Sequence, residues 1–315
     1  MKKILILFAI LIINLILANP SYAIKIGLLT QVEEAGIGTN VAGRMIDTHT
    51  NKTVCEVDAM KGYMLVPYKK EIAIKSGSHF YTLETDSIVL KPDSEGFVST
   101  KGKWYRGLLM IKNINGNLTV INDIDLESYI KGVVPVEMSP SWEYEALKAQ
   151  AIAARSFALA NLGKQSRNGY DLKDNTEDQA YGGASSETKI TTRAVEETNG
   201  LVLTYDMKII SAYYFASAGG MTRTSIWGSD LPYLRAVPSF DDEVKKNGHG
   251  VGMSQHGANN LAKQGYNAYQ ILQYFYQNIK FAKLDSESSL SNNSVFRYDI
   301  PLDIHYNWFV KKINL

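Results

Sequence analysis

The 315-residue sequence carries 33 Lys and Arg against 32 Asp and Glu, and a formal charge of +1 excludes nucleic-acid or polyanion binding driven by a strongly basic face. One cysteine, Cys55, excludes an intramolecular disulfide, and its place in the run Thr53-Val54-Cys55-Glu56-Val57 reads as a buried small hydrophobe on a strand, with a reactive thiol as the alternative. An uncharged polymer suits this balance better as a partner.

Lys2 and Lys3 precede an apolar run from Ile4 to Ala18 broken only by Asn14, and Ser21-Tyr22-Ala23 then offers a small residue for signal peptidase. Residues 1–23 therefore read as a secretory signal, with cleavage after Ala23 and an uncleaved anchor as the alternative. The run is shorter than the roughly 20 residues of a spanning helix. Either way the remainder is expected outside the cytoplasmic membrane, in the periplasm or the wall.

Residues 24–99 form short β-like runs between turn residues, and the pattern continues to about Ile121, where Trp104 to Ile111, Asn115-Gly116 and Leu118 to Ile121 read as a hairpin. The composition changes at Trp142. From Glu145 to Ala158 the chain is a strong helix former without Gly or Pro, and small residues on nearly all sides predict a central, buried helix over about 141–161. Ser139 or Ser141 is its expected N-cap, with Pro140 in the first turn and Gly163 past its end. A short helix near Thr188 to Thr198 follows, then a hairpin of Leu201 to Tyr205 with Ile209 to Phe215, a Gly219-Gly220 turn, a Trp227 loop, and helices over about 258–263 and 267–278. The fold class is α+β: a β-rich N-terminal part, a mixed domain over 100–282 with a central Ala-rich helix and hairpins, and a tail over 283–315 that turns strand-like at Val295 to Ile300.

Glu137 is an acid within the apolar run Gly132 to Met138, just ahead of the predicted central helix. A carboxyl group there either caps backbone amides at the helix start or, buried without a partner, holds its proton near neutral pH and is able to donate it.

The run from Leu126 through Val134-Pro135-Val136-Glu137-Met138, followed by Trp142, Glu145 to Ala151 and Ala153-Ala154-Arg155, resembles the stage II sporulation protein D family, the SpoIID/LytB domain. Three further blocks agree in order: Asp178 to Gly183, Ser217 to Thr222, and Gly248 to Ala258. The resemblance implies a lytic transglycosylase acting on peptidoglycan glycan strands already stripped of stem peptides, with Glu137 as acid and then base and with 1,6-anhydromuramoyl products. One carboxylate suffices for that cycle, whereas a hydrolase ordinarily uses two. The substrate contacts expected are His249, Ser254 and Gln255 in a Gly-flanked loop, with Arg155, Gln179, Tyr181, Ser217, Gly219 and Gly220 as further cleft residues. A structural, hydrogen-bonding His249 is the plainer alternative.

Two departures from the family pattern stand out. Some members hold zinc through a Cys/His run, but the matching positions here are Lys173, Glu177 and Asp178, so no metal and no cofactor is expected, and Lys173 is expected to pair with Glu177 or Asp178. The segment between the Pro232 to Val237 block and the Gly-His-Gly block is also short, barely a dozen residues, which implies a more open cleft. The competing reading is a glycan-binding module without catalysis, since LytB-type relatives are modifiers of a separate amidase; a structural wall protein explains neither Glu137 nor the Gly-His-Gly loop.

Overall fold

The computed structural model describes residues 23–225, 228 and 230–284 in full, and the backbone of 296–297. The segment before residue 23 expected to be a secretory signal, the Trp227 position and most of the tail lie outside the described residues.

The N-terminal part is all β, as its alternating runs predict. Its strands are β1 (Ala23–Val32), β2 (Ala35–Thr39), β3 (Gly43–Asp47), β4 (Thr53–Val57), β5 (Gly62–Tyr68), β6 (Glu71–Ser76), β7 (His79–Thr82), β8 (Ser87–Pro92), β9 (Val98–Thr100), β10 (Lys103–Tyr105), β11 (Leu108–Ile114) and β12 (Asn117–Asp125). With β13 (Leu172–Lys173) they form a seven-stranded sheet, β13-β1-β12-β11-β8-β3-β4, and a six-stranded sheet, β10-β9-β2-β5-β6-β7. The two sheets share one apolar core, to which Ile26, Met45, Ile88, Leu90 and Leu109 contribute from the first and Ile37, Leu65, Ile72 and Val98 from the second. Asn115 and Gly116, at φ of 54° and 85°, turn β11 into β12 as an Asn-Gly hairpin should. This hairpin starts later than expected, because Trp104 belongs to β10 and pairs with Ser99.

The sheet runs directly into the helical part, since α1 (Leu126–Glu137) begins where β12 ends and is capped by Asp125, whose side chain accepts from the Ser128 amide. The apolar run holding Glu137 is thus the end of a helix. Pro135 sits in its last turn, and Glu137 is its final residue. α2 (Tyr144–Ala160) is the central helix expected, buried continuously from Ala149 to Ala158, and it packs against α1, α3 (Lys189–Glu197), α4 (Gln255–Lys263) and α5 (Ala268–Phe275). Its N-cap is Glu143, without a side-chain cap bond, so the expected caps Ser139 and Ser141 instead bond each other at 2.9 Å before the helix begins. A small third sheet joins β14 (Leu201–Tyr205) to β15 (Lys208–Ile209) and to β18 (Lys280–Leu284), which also pairs with β19 (Phe296–Arg297). The hairpin expected over 201–215 ends early. Tyr214–Phe215, β16, leaves it to pair in parallel with Met253–Ser254, β17, and so brings the second hairpin's end against the Gly-His-Gly block. Strands and helices in separate layers make the fold α+β, as expected.

A buried ion pair fastens this arrangement. Arg155 of α2 has no exposed surface and grips Glu127 of α1 with two bonds of 2.7 Å, while its remaining nitrogen donates to the Leu201 carbonyl at 3.0 Å. It therefore joins α1, α2 and β14 and does not reach the cleft, so its expected role as a substrate contact gives way to a structural one. Removing one member of a buried pair strands the other charge, and Arg155→Met is expected to lower unfolding stability by about 3 to 5 kcal/mol in chemical denaturation; a substrate contact in open solvent would leave the midpoint unmoved.

Candidate functional site

Glu137 opens into a cleft of about 590 Å³ whose walls include Phe157, Lys164, Asp178, Tyr213, Tyr214, Phe215, Asn247, His249 and Gln255. Four chain segments set its carboxyl group. Being last in α1, Glu137 projects beyond the helix toward the loop after β13, where the Ala180 amide donates to Oε1 at 2.7 Å. From the start of α4, Gln255 Nε2 reaches Oε2 at 3.4 Å, and the Tyr214 hydroxyl of β16 supplies a third hydrogen bond. Burial pushes the Glu137 carboxyl above its ordinary value, and these donors to the charged form oppose the rise without cancelling it.

Behind the acid lies a run of buried polar groups. Tyr129 donates to Gln179 Oε1 at 3.2 Å, and Gln179 Nε2 donates to the Tyr214 hydroxyl at 2.8 Å and to the Ala154 carbonyl at 3.2 Å. Burial raises the Tyr214 hydroxyl well above the usual phenol range, so it stays a donor toward Glu137. Gln179 is therefore fully buried and orients Tyr214 from behind, where a sugar has no access. Tyr181 is also removed from the cleft: its ring lies between Tyr105 and Tyr129, with centroids at 5.7 and 4.9 Å, and its hydroxyl donates to Asn122 at 2.9 Å. Gly132 makes room for that ring, since a Cβ there would stand 2.5 Å from it.

The Gly-rich blocks meet at a residue the motif reading passed over. Asp241 has no exposed surface and accepts from the amides of Ala218 and Gly220 at 2.8 and 3.0 Å and from the hydroxyls of Ser239 and Ser254 at 2.5 and 2.6 Å. Ser254 is in turn the N-cap of α4, accepting from the Gly257 amide at 3.1 Å, so both of its bonds serve the fold. Ser217 spends its hydroxyl on the Lys245 carbonyl at 2.7 Å, and Gly219 and Gly220 hold φ of 67° and 112° in the turn that Asp241 ties down. Ser217, Gly220 and Ser254 thus build the loop, while Gly219 is exposed outside the cleft lining. The short segment after Val237 supplies Ser239 and Asp241, and its end, Asn247, bridges to Ser217.

His249 and Gln255 do line the cleft. The His249 Nδ1 accepts from the Val251 amide at 3.1 Å, and burial holds the ring below the ordinary imidazole value against a bond to the Tyr214 backbone, leaving a neutral ring between Tyr213 and Phe215. On the opposite wall Lys173 pairs with Glu177 at 2.5 Å, as its spacing suggested, and Asp178, with no exposed side-chain surface, pairs with Lys164 and accepts from the Lys173 amide at 2.8 Å.

A family model described as stage II sporulation protein (SpoIID) matches residues 114–205, from the end of β11 through α1, α2 and β14. Over 263 residues the chain is 28% identical to stage II sporulation protein D of Bacillus amyloliquefaciens, covering 53% of this chain and 76% of that one. It is 34% identical over 197 residues to an uncharacterized protein of Brachyspira hyodysenteriae, covering 61% of this chain and 49% of that one, and 43% identical over 115 residues to the amidase enhancer of Bacillus subtilis, covering 15% of that protein. The chain thus spans about half the length of the Brachyspira relative. The family model and these relatives agree in a likeness to the stage II sporulation protein D family, centred on residues 114–205.

The Asp241 hub makes a pH-dependent prediction. Burial opposes its ionisation, but bonds from Ser239, Ser254 and the amides of Ala218 and Gly220 outweigh it and hold the carboxyl below the usual carboxylate range. A lowered folded value contributes stability above the unfolded carboxylate range, and that stability is lost as pH falls through the folded value. Asp241→Asn is therefore expected to melt below wild type at neutral pH, with the gap closing as the buffer is acidified below about pH 4.

Proposed function

We propose that this protein is an exported lytic transglycosylase that cuts peptidoglycan glycan strands, with Glu137 as its acid and then its base. The observation that carries the reading is one carboxyl group, raised by burial, exposed to a cleft and held only by neutral donors. Protonated, it is placed to give its proton to the glycosidic oxygen as the bond to the anomeric carbon breaks; the carboxylate then takes the proton of the muramoyl 6-hydroxyl as that oxygen closes on the same carbon. The other acids of the cleft, Glu177 and Asp178, are committed to Lys173 and Lys164, which favours a cycle that uses a single carboxyl over one that activates water. Tyr213, Phe215 and Phe157 supply flat apolar walls suited to sugar rings, and the near-neutral charge suits an uncharged strand. Export rests on the Lys2-Lys3 and Ile4 to Ala18 pattern, and the preference for strands without stem peptides on the family resemblance.

The likeness to a protein named amidase enhancer supports a second reading, in which the cleft holds glycan without cutting it and assists a wall amidase. Glu137→Gln separates the two. It keeps size and hydrogen bonding but carries no transferable proton, so strand cleavage is expected to fall about a hundredfold or more with the melting point retained; unchanged cleavage would remove Glu137 from the chemistry, and no cleavage by the wild type on purified denuded strands would favour the binder.

The pH profile supplies a further check. Because the acid must be protonated and burial raises its value, kcat/KM is expected to fall as pH rises through a limb lying above the ordinary glutamate range. Tyr214 stabilises the charged form, so Tyr214→Phe should move that limb to still higher pH.

A further inference from the structure

One polar atom near the acid is conspicuously unused. Gln150 lies in α2 among Ala149, Ala151 and Ala153 with no exposed surface, and among the described residues its Nε2 has no hydrogen-bond partner. Its Oε1 faces Gln255 Nε2 at 3.5 Å, the same nitrogen that reaches Glu137 Oε2 at 3.4 Å. Gln255 lines the cleft yet is itself only 5% exposed, so these bonds are largely shielded from water. An orphaned buried N–H carries a full desolvation cost, and a Gln beside Ala at that depth adds nothing to packing that an apolar side chain would not.

The oxygen and nitrogen of an amide are nearly the same size, so a glutamine rotates end for end within its own volume, and the only change is which hydrogen bonds it makes. With Glu137 ionised, Gln255 donates one N–H to the carboxylate and the other to Gln150 Oε1, leaving Gln150 Nε2 idle. A protonated Glu137 reverses the requirement, because its O–H needs an acceptor. If both amides rotate, Gln255 Oε1 accepts from the Glu137 hydroxyl and also from Gln150 Nε2, so the idle donor is used and the atom left unpaired becomes Gln150 Oε1, a carbonyl oxygen that is less costly to leave without a partner than an N–H.

We propose that Gln150 and Gln255 form a two-amide relay that rotates with the protonation of Glu137, with Gln150 as a positioning residue that favours the proton-loaded acid. The inference rests on the reading of Glu137 as a proton donor. In the reaction the relay turns once as the proton leaves for the glycosidic oxygen and back as the 6-hydroxyl proton returns, with no net change. The other titratable groups facing this carboxyl are Tyr214 of β16, Tyr129 of its own helix, and His249, Lys164, Glu177 and Asp178 across the cleft. The first two stay protonated over the neutral range, and the last three are tied in ion pairs.

The test is a titration of the full-length protein without substrate, following the Glu137 carboxyl carbon and the side-chain amide signals of both glutamines by NMR. In wild type the amide signals of Gln150 and Gln255 are expected to shift with one midpoint, that of Glu137, and to stop shifting in Glu137→Gln. Gln150→Met keeps the volume and removes the idle donor, so the Glu137 midpoint should drop by about one unit; in a Gln255→Met background the same change should have no further effect, since the link is gone. Amide signals of Gln150 that ignore the Glu137 titration, or a folded Gln150→Met with an unmoved midpoint, would overturn the relay. Those outcomes leave the cutting activity of wild type intact, whereas full activity of Glu137→Gln defeats the functional reading with the titration still standing.

Discussion

Of the three carboxyl groups that line the cleft, Glu137 is the one without an ion-pair partner among the described residues. A carboxyl group taken partly out of water must either find a counter-charge or keep its proton for longer, and among the described residues Glu137 is held by amide and hydroxyl donors and by no ion pair. That choice sets its chemistry. A Lys at the distance of Ala180 would hold the group ionised and make it a poor acid.

Meeting this constraint requires elements far apart in the chain. Ala180 is 43 residues from Glu137 and Gln255 is 118, and both arrive on backbones fixed by other interactions. The buried Arg155–Glu127 pair holds α1 against α2 and so fixes the direction in which Glu137 leaves its helix. Asp241 holds the loop of Ala218 to Gly220 to the N-cap of α4 and thereby places Gln255. Close approach is built in as well: a Cβ at Gly257 would stand 2.0 Å from the Ser239 carbonyl, and one at Gly252 2.0 Å from the Tyr213 carbonyl. Substitution at either glycine would push the α4 end of the site away from Glu137.

Much of the local structure was legible because it follows from composition alone. An Ala-rich segment without Gly or Pro has to be a helix packed on all sides, and alternating runs with Asn-Gly turns have to be strands. The helix that ends on Glu137 was not legible in the same way, since Gly132 and Pro135 both argue against one; Gly132 is tolerated there because the Tyr181 ring occupies the space a side chain would need. The family blocks marked the right segments but not the right atoms. Gln179, Tyr181, Ser217 and Ser254 bear polar groups in Gly-rich surroundings and so resemble ligand contacts, yet each is buried by partners that sequence spacing does not reveal. Gln150 had a readable signal, a polar residue on an otherwise small and buried helix. Asp241 had little, because apart from Ser239 the groups it binds lie 13 to 23 residues away on separate loops.

The central claim is that Glu137 works alone, with the attacking oxygen supplied by the substrate. An intramolecular hydroxyl already beside the anomeric carbon has an advantage in effective concentration over water. The most direct measurement is therefore mass analysis of the products of purified denuded glycan digested in heavy-oxygen water. The account predicts ends lighter by one water than hydrolytic ones, unlabelled and without a reducing muramoyl group; heavy oxygen at new reducing ends would contradict it and require a second carboxyl to activate water.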